Sequence, residues 1–209
     1  MDADSTTPEN TLKNVFYQMP PSFQRHSENV AAYMAGLYEV LKAHGCSEIA
    51  SYDEQTVIRA GLWHDVGKAM VPQWILDNPH RLSGTMLDVI RTHTFWGEQI
   101  LQEIYGQDGK EIFSKVAGQH HERMDGHGYL EMTPGNRIHP IARMASIADT
   151  YDAITADRPY RKGRSAEEAL AEISRVSGTQ LDERYVAIAL ADTSWTNLEA
   201  DRKLVEKYG

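Results

Sequence analysis

The chain has 209 residues, 41% hydrophobic and 24% charged, with a formal net charge of −9, which is enough chain for one sizeable core in one domain. A single cysteine, Cys46, excludes an internal disulfide and fits a reducing cytoplasm. No apolar run approaches the ~20 residues that span a bilayer, and the acidic, polar start MDADSTTPEN is not a secretory signal. The negative balance argues against a binder of nucleic-acid polymers or of membranes, which needs a basic field. A small anionic substrate stays open, because metals and a few local cations can reverse the sign inside one cleft.

Residues 1–22 read as a flexible lead-in closing at Pro20-Pro21. From His26 to Ala43, Val30, Met34, Leu37 and Leu41 recur at helical spacing, and His26, four before Val30, shares their buried face. A second helix is expected from about Asp53 to Val66, and a short one over Pro72–Asp77. A further helical region spans Leu87 to Ile104 with His93 inside it. Ile112 to His121 carries one apolar stripe that ends in His120 and His121. A glycine-rich loop follows over 125–135. Ile141–Thr155 is the next helix, and Asp149, eight after Ile141, turns a carboxylate inward. Ser165 and Glu168 form a capping box for another helix, and Asp182–Ala191 is the last clear one. Residues 192–209 read as a polar tail or terminal helix. No useful strand alternation occurs, so the expected fold class is all-α, a single-domain helical bundle.

Several of these positions carry metal-ligand chemistry. His64-Asp65 in LWHDVGK and His120-His121 in GQHHERMDGHGY are pairings that metals favour. An imidazole or carboxylate on an apolar stripe needs a partner. His26, His64, Asp65, His93, His120, His121 and Asp149 together exceed what one open catalytic site requires. Two divalent transition-metal ions are the economical explanation, with Fe or Mn favoured and Zn, Ni or Co acceptable to such a His/carboxylate set. Lys68 is either a cation at a helix C-terminus or a partner for phosphate charge, and spacing leaves both open. Tyr129 would stand at the rim of any such site. The basic run Arg158-Pro-Tyr-Arg161-Lys162 follows Asp149 closely enough to clamp phosphates. His44, His80, His127 and His139 have no supporting pattern and read as surface or loop residues.

The run His64-Asp-Val-Gly-Lys68 resembles the HD phosphohydrolase signature. HHERMDGHGY (120–129) followed by IADTYDAITADRPYR (147–161) is similar to the HD-GYP subfamily, bacterial phosphodiesterases that hydrolyse cyclic di-GMP. The resemblance covers roughly residues 23–191, which would be the catalytic domain. It implies that His26, His64, Asp65 and Asp149 hold one metal. Asp65 would bridge to a second, held also by His93, His120 and His121. Lys68 would contact the scissile phosphate, and Tyr129, Arg158 and Arg161 the nucleotide. The implied reaction is attack on a cyclic dinucleotide by a hydroxide held between two metals, giving linear pGpG and, after a second cut, GMP.

Two departures matter. Gly128-Tyr129 is followed by Leu130 instead of proline, which leaves the loop after it looser or differently shaped. Ser22 stands where some members carry a glutamate for a third metal, so two are expected. Cyclic GMP–AMP is an alternative substrate, and a catalytically silent cyclic dinucleotide receptor an alternative role. A one-metal nucleotide phosphohydrolase would leave His93, His120 and His121 without a function. The chain either acts alone or is one domain of a larger system, a signalling protein is a candidate partner, and oligomeric state is not legible.

Overall fold

The structure is a computed structural model and describes residues 7–80, 82–106, 111–157, 161–197 and 207–208. Its elements are α1 (Pro8–Gln18), α2 (Pro21–Ala43), α3 (Ser47–Ala50), α4 (Glu54–Trp63), α5 (Gln73–Leu76), α6 (Gly84–Arg91), α7 (His93–Tyr105), α8 (Glu111–Gln119), α9 (Pro140–Thr155), α10 (Ala166–Arg175) and α11 (Glu183–Ala191). Short 3-10 turns cover 66–70, 135–137 and 193–197. Among the described residues there is no strand, and Ser177 and Leu181 form an isolated bridge, so the fold is all-α.

α2 is the spine. Proline at its first turn suits a helix start, where no intrahelical N–H partner is needed. Its apolar stripe, Val30, Met34, Leu37 and Leu41, is buried and packs along α4 and α9. Local chemistry sets the other helix starts. Asp53 accepts the Thr56 N–H at 2.8 Å ahead of α4, and the Ser165/Glu168 capping box opens α10.

Two expectations need correction, and a third is refined. Residues 8–18 are not a flexible lead-in: Thr7 caps α1, and α1 buries Leu12 and Phe16 completely, with the Phe16 ring edge-on to Trp63 at 5.7 Å. The helix expected through Val66 stops at Trp63 and gives way to a tighter 3-10 turn. The helical region from Leu87 to Ile104 is two helices that break at Thr92. The start of the C-terminal tail is anchored, because Trp195 is buried and donates from Nε1 to the Ala189 carbonyl at 2.9 Å.

Candidate metal centre

Five elements bring their side chains to one point. His26 comes from α2, His64 and Asp65 from the end of α4, and His93 from the first residue of α7. His120 and His121 lie just past the end of α8, and Asp149 comes from α9. The turn after Asp65 must let α7 come close. A Cβ on Gly67 would lie 2.0 Å from the His93 carbonyl oxygen and 2.4 Å from the Gly97 nitrogen, so only glycine allows this approach.

Asp65 sits at the middle, 1% exposed. Its Oδ2 lies 3.4 Å from both His26 Nε2 and His64 Nε2. Its Oδ1 lies 3.2 Å from His93 Nε2 and 3.7 Å from His120 Nε2. The two carboxylate oxygens therefore address two different histidine pairs. Asp149 closes the cluster at its mouth, with Oδ1 3.1 Å from His26 Nε2 and Oδ2 3.8 Å from His121 Nδ1.

The protonation pattern is that of a cation site. His64 Nδ1 lies 2.7 Å from the Gly61 carbonyl, His93 Nδ1 2.7 Å from that of Ile90, and His120 Nδ1 3.0 Å from that of Ala117. Carbonyls only accept, so each Nδ1 carries the proton and each Nε2 presents a lone pair. His93 Nε2 and His120 Nε2 are 3.3 Å apart, lone pair to lone pair. His64 Nε2 and Asp65 Oδ1 are buried without a hydrogen-bond partner. Buried acceptors facing one another are stable only with a cation between them. The triads His26/His64/Asp149, His64/Asp65/His120 and His93/His120/His121 each have ligand atoms close enough to share one ion, so the residues present fit metal.

Electrostatics agree. Burial, with His120 and His26 alongside, pushes the His64 imidazole down to about 3, and burial beside His120 holds His121 well below the ordinary histidine value. Burial opposes the charge on Asp65, but Lys68 and the surrounding histidines outweigh it and hold its pKa well below the carboxylate range. His26 is the exception: burial opposes its charge, but Asp149, Asp152 and Asp65 outweigh it and hold its pKa well above the ordinary histidine value, so it has to give up a proton to ligate. Neutral imidazoles and ionised carboxylates are the ligating forms.

Several supporting residues were not foreseen. Asp152 is buried and sits 2.6 Å from His26 Nδ1, while Asn29 Nδ2 donates to its other oxygen at 2.7 Å. This is the carboxylate–histidine arrangement that orients a ligand. Its position three after Asp149 on one helix face was the available signal. Glu122 is also buried and accepts the Glu131 and Thr133 N–H groups at 3.2 and 3.0 Å. It thereby folds the loop back over the site. Ser146 Oγ donates to the His120 carbonyl at 2.5 Å.

Lys68 Nζ donates to Asp65 Oδ2 and lies 4.9 Å from the Phe23 ring centroid. The Tyr129 ring is 4.8 Å from that of His121, and the Arg91 guanidinium lies 5.5 Å from the Tyr129 centroid. Arg161 is engaged elsewhere: its guanidinium donates to the Ala153 carbonyl at 2.6 Å, at the end of α9. Arg158 lies outside the described residues. A cleft of about 540 Å³ reaches His26 and Lys68, and a smaller one of about 270 Å³ reaches His121, Asp149 and Tyr129.

Leu130 has φ +77° and Met132 φ +50°. The loop is shaped differently from one with proline at this position. It takes a backbone conformation that proline, fixed near −65°, cannot adopt.

The HD domain family model matches residues 10–185. The chain belongs to the HD domain family. Within that family its relatives and motifs place it with the HD-GYP proteins. A 3′3′-cGAMP-specific phosphodiesterase of Vibrio cholerae is 34% identical over 157 residues, 75% of this chain and 32% of that protein. A cyclic di-GMP phosphodiesterase of Pseudomonas aeruginosa is 39% identical over 119 residues, 57% of this chain and 28% of that protein. This HD chain thus spans about a third of the length of the curated relatives it matches. An HD-GYP-type protein from Bdellovibrio bacteriovorus shares the fold, with a TM-score of 0.60 and 18% identity over 88% of this chain and 61% of that one.

Proposed function

We propose that this HD chain is a metal-dependent phosphodiesterase of cyclic dinucleotides, acting on cyclic di-GMP with 3′3′-cGAMP as the alternative. The observation that carries the reading is the split carboxylate of Asp65, with one oxygen on each histidine pair. Two divalent ions, Fe or Mn by the imidazole-rich donor set, would supply an activated water and neutralise phosphoryl charge when bound. His26, His64, Asp65 and Asp149 would hold one, and Asp65, His93, His120 and His121 the other. A one-ion site would leave the triad His93/His120/His121 unemployed.

The chain's own residues do the rest. Lys68, tethered to Asp65 and only 12% exposed, places a fixed cation where the phosphate's negative charge grows. Asp152 keeps the His26 ring in the orientation that aims Nε2 at the cluster. Tyr129, braced by His121 and Arg91, offers a ring face on which a base can stack. The product would be the linear dinucleotide pGpG, and GMP after a second cut.

The test is metal analysis combined with turnover on anaerobically purified protein. Two metals per chain and linear product from cyclic di-GMP or 3′3′-cGAMP are expected. Asp65→Ala should lose metal and cut turnover by about 10²–10³-fold or more. Full metal content and full turnover in that variant would sink the proposal, and two metals with specific binding but no turnover would leave a receptor.

A further inference from the structure

The larger cleft has chemistry beyond the metal centre. Its lining joins His26 and Lys68 of the metal centre to Asp77 and Asn78 after α5, with Phe23, Ile75 and Ile90 among its apolar side chains. Its volume, about 540 Å³, is in the range that takes a small organic ligand, and its apolar lining suits a nucleobase.

The polar lining is specific. Asp77 closes α5, its backbone N–H fixed on the Gln73 carbonyl at 2.8 Å. Among the described residues, nothing forms a hydrogen bond or ion pair with its carboxylate. Asn78 is half committed: its Oδ1 accepts the His80 N–H at 2.9 Å, and its Nδ2 faces only the Met86 sulfur at 3.7 Å, a weak acceptor. The cleft therefore presents a strong acceptor beside an amide donor. The other carboxylates that line the cleft are spent: Asp157 on Lys162 Nζ at 2.9 Å and the Gly163 N–H at 2.8 Å, and Asp152 on His26 and Asn29.

From this pattern we infer that the cleft beside Asp77 and Asn78 is a guanine subsite. Guanine's Watson–Crick edge carries the N1–H and N2–H₂ donors beside the O6 acceptor. That order matches Asp77 as acceptor and Asn78 Nδ2 as donor. Adenine turns its N1 lone pair toward the carboxylate and its amino group toward the amide donor, so it is repelled at both positions. The inference rests on the phosphodiesterase proposal and sharpens it. One guanine fills the subsite, so cyclic di-GMP and 3′3′-cGAMP are both accepted, and cyclic di-AMP is rejected.

The experiment measures binding and turnover of all three cyclic dinucleotides on the metal-loaded protein and on Asp77→Asn, with metal content checked in both. Asp77 is exposed, so the variant keeps its fold. For the variant, kcat/KM on cyclic di-GMP should fall by about 10- to 100-fold, mostly through KM, and the preference over cyclic di-AMP should collapse. Unchanged preference in the variant overturns the subsite while leaving the phosphodiesterase reading intact. Guanine-selective binding that Asp77→Asn abolishes, without turnover by either protein, keeps the subsite and overturns the phosphodiesterase reading. Absence of both binding and turnover overturns both.

Discussion

At the scale of single residues, Leu130 makes a sharp prediction. Its φ of +77° cannot be reached by proline, and proline would also constrain Tyr129 before it. Restoring the Gly-Tyr-Pro run with Leu130→Pro should therefore damage this loop, at a cost of about 1–3 kcal/mol in local order. The expected readout is faster hydrogen exchange at the Glu131 and Thr133 amides, which Glu122 now holds, with metal content preserved. Unchanged exchange would show that the loop tolerates proline. The ligands themselves were legible as sequence because an imidazole or carboxylate on an apolar helical stripe has to be explained. His26, His120, His121 and Asp149 reach the cluster on that ground, whereas His64 stood out by its pairing with Asp65 and His93 by lying within a helical region. Side chains that act through a ligand were harder to see. Asp152 touches a histidine ring and left only its spacing of three from Asp149 as a trace, while Glu122 holds a distant loop backbone and left none. Arg161 donates to the Ala153 carbonyl at the end of α9, a contact the basic run did not signal, since such a run does not say whether a guanidinium meets substrate or a helix end.

At the scale of elements, the junction between the 3-10 turn at 66–70 and α7 decides where His93 stands. Gly67→Ala would drive a methyl group into the His93 carbonyl and the Gly97 nitrogen. Neither is a flexible side-chain tip, so the two segments must separate. The expected cost is about 3 kcal/mol or more in chemical denaturation, accompanied by loss of metal because His93 moves off Asp65. A variant with wild-type stability and full metal content would contradict this account. Helix positions followed from periodicity and caps, as at Asp53 and Ser165. The break at Thr92 and the early end of α4 did not, because apolar spacing runs on through both and only tertiary contact interrupts the helix. α1 was missed because Leu12 and Phe16 are too few to mark a helix until the Trp63 surface they cover is known.

At the scale of the whole molecule, an ion-pair network ties the ends of the bundle together. Glu48 from α3 meets Arg143 of α9 at 3.3 Å and bonds Tyr185 Oη of α11 at 2.7 Å. Asp182, buried at the start of α11, meets Arg143 at 2.5 Å. Burial opposes the Glu48 charge, but Tyr185 and the Arg184 and Arg143 guanidiniums outweigh it and lower its pKa. A carboxylate with a lowered folded-state pKa stabilises the protein above its unfolded value, about 4.3 for glutamate. It loses that contribution as pH falls through the folded value. Glu48→Gln should therefore lower Tm at pH 7 and by less at pH 4. The difference is about 2–4 °C, since a partly exposed pair contributes at most about 1 kcal/mol. A gap that widens on acidification would refute the assignment. No helix among the described residues is long and apolar enough to cross a membrane.

The pairing of His26 with Asp152 has a consequence for the order of events during folding. These partners are 126 positions apart in the chain yet 2.6 Å apart in space, and the remaining ligands come from segments scattered between them. Contacts of such long sequence separation form late, after loop closure has been achieved by packing elsewhere. No nascent segment carries more than a fragment of the cluster. The bundle therefore has to be assembled before a complete ligand set exists, and on the proposed metal centre ion capture would be a finishing step that locks a finished architecture rather than a seed around which it condenses.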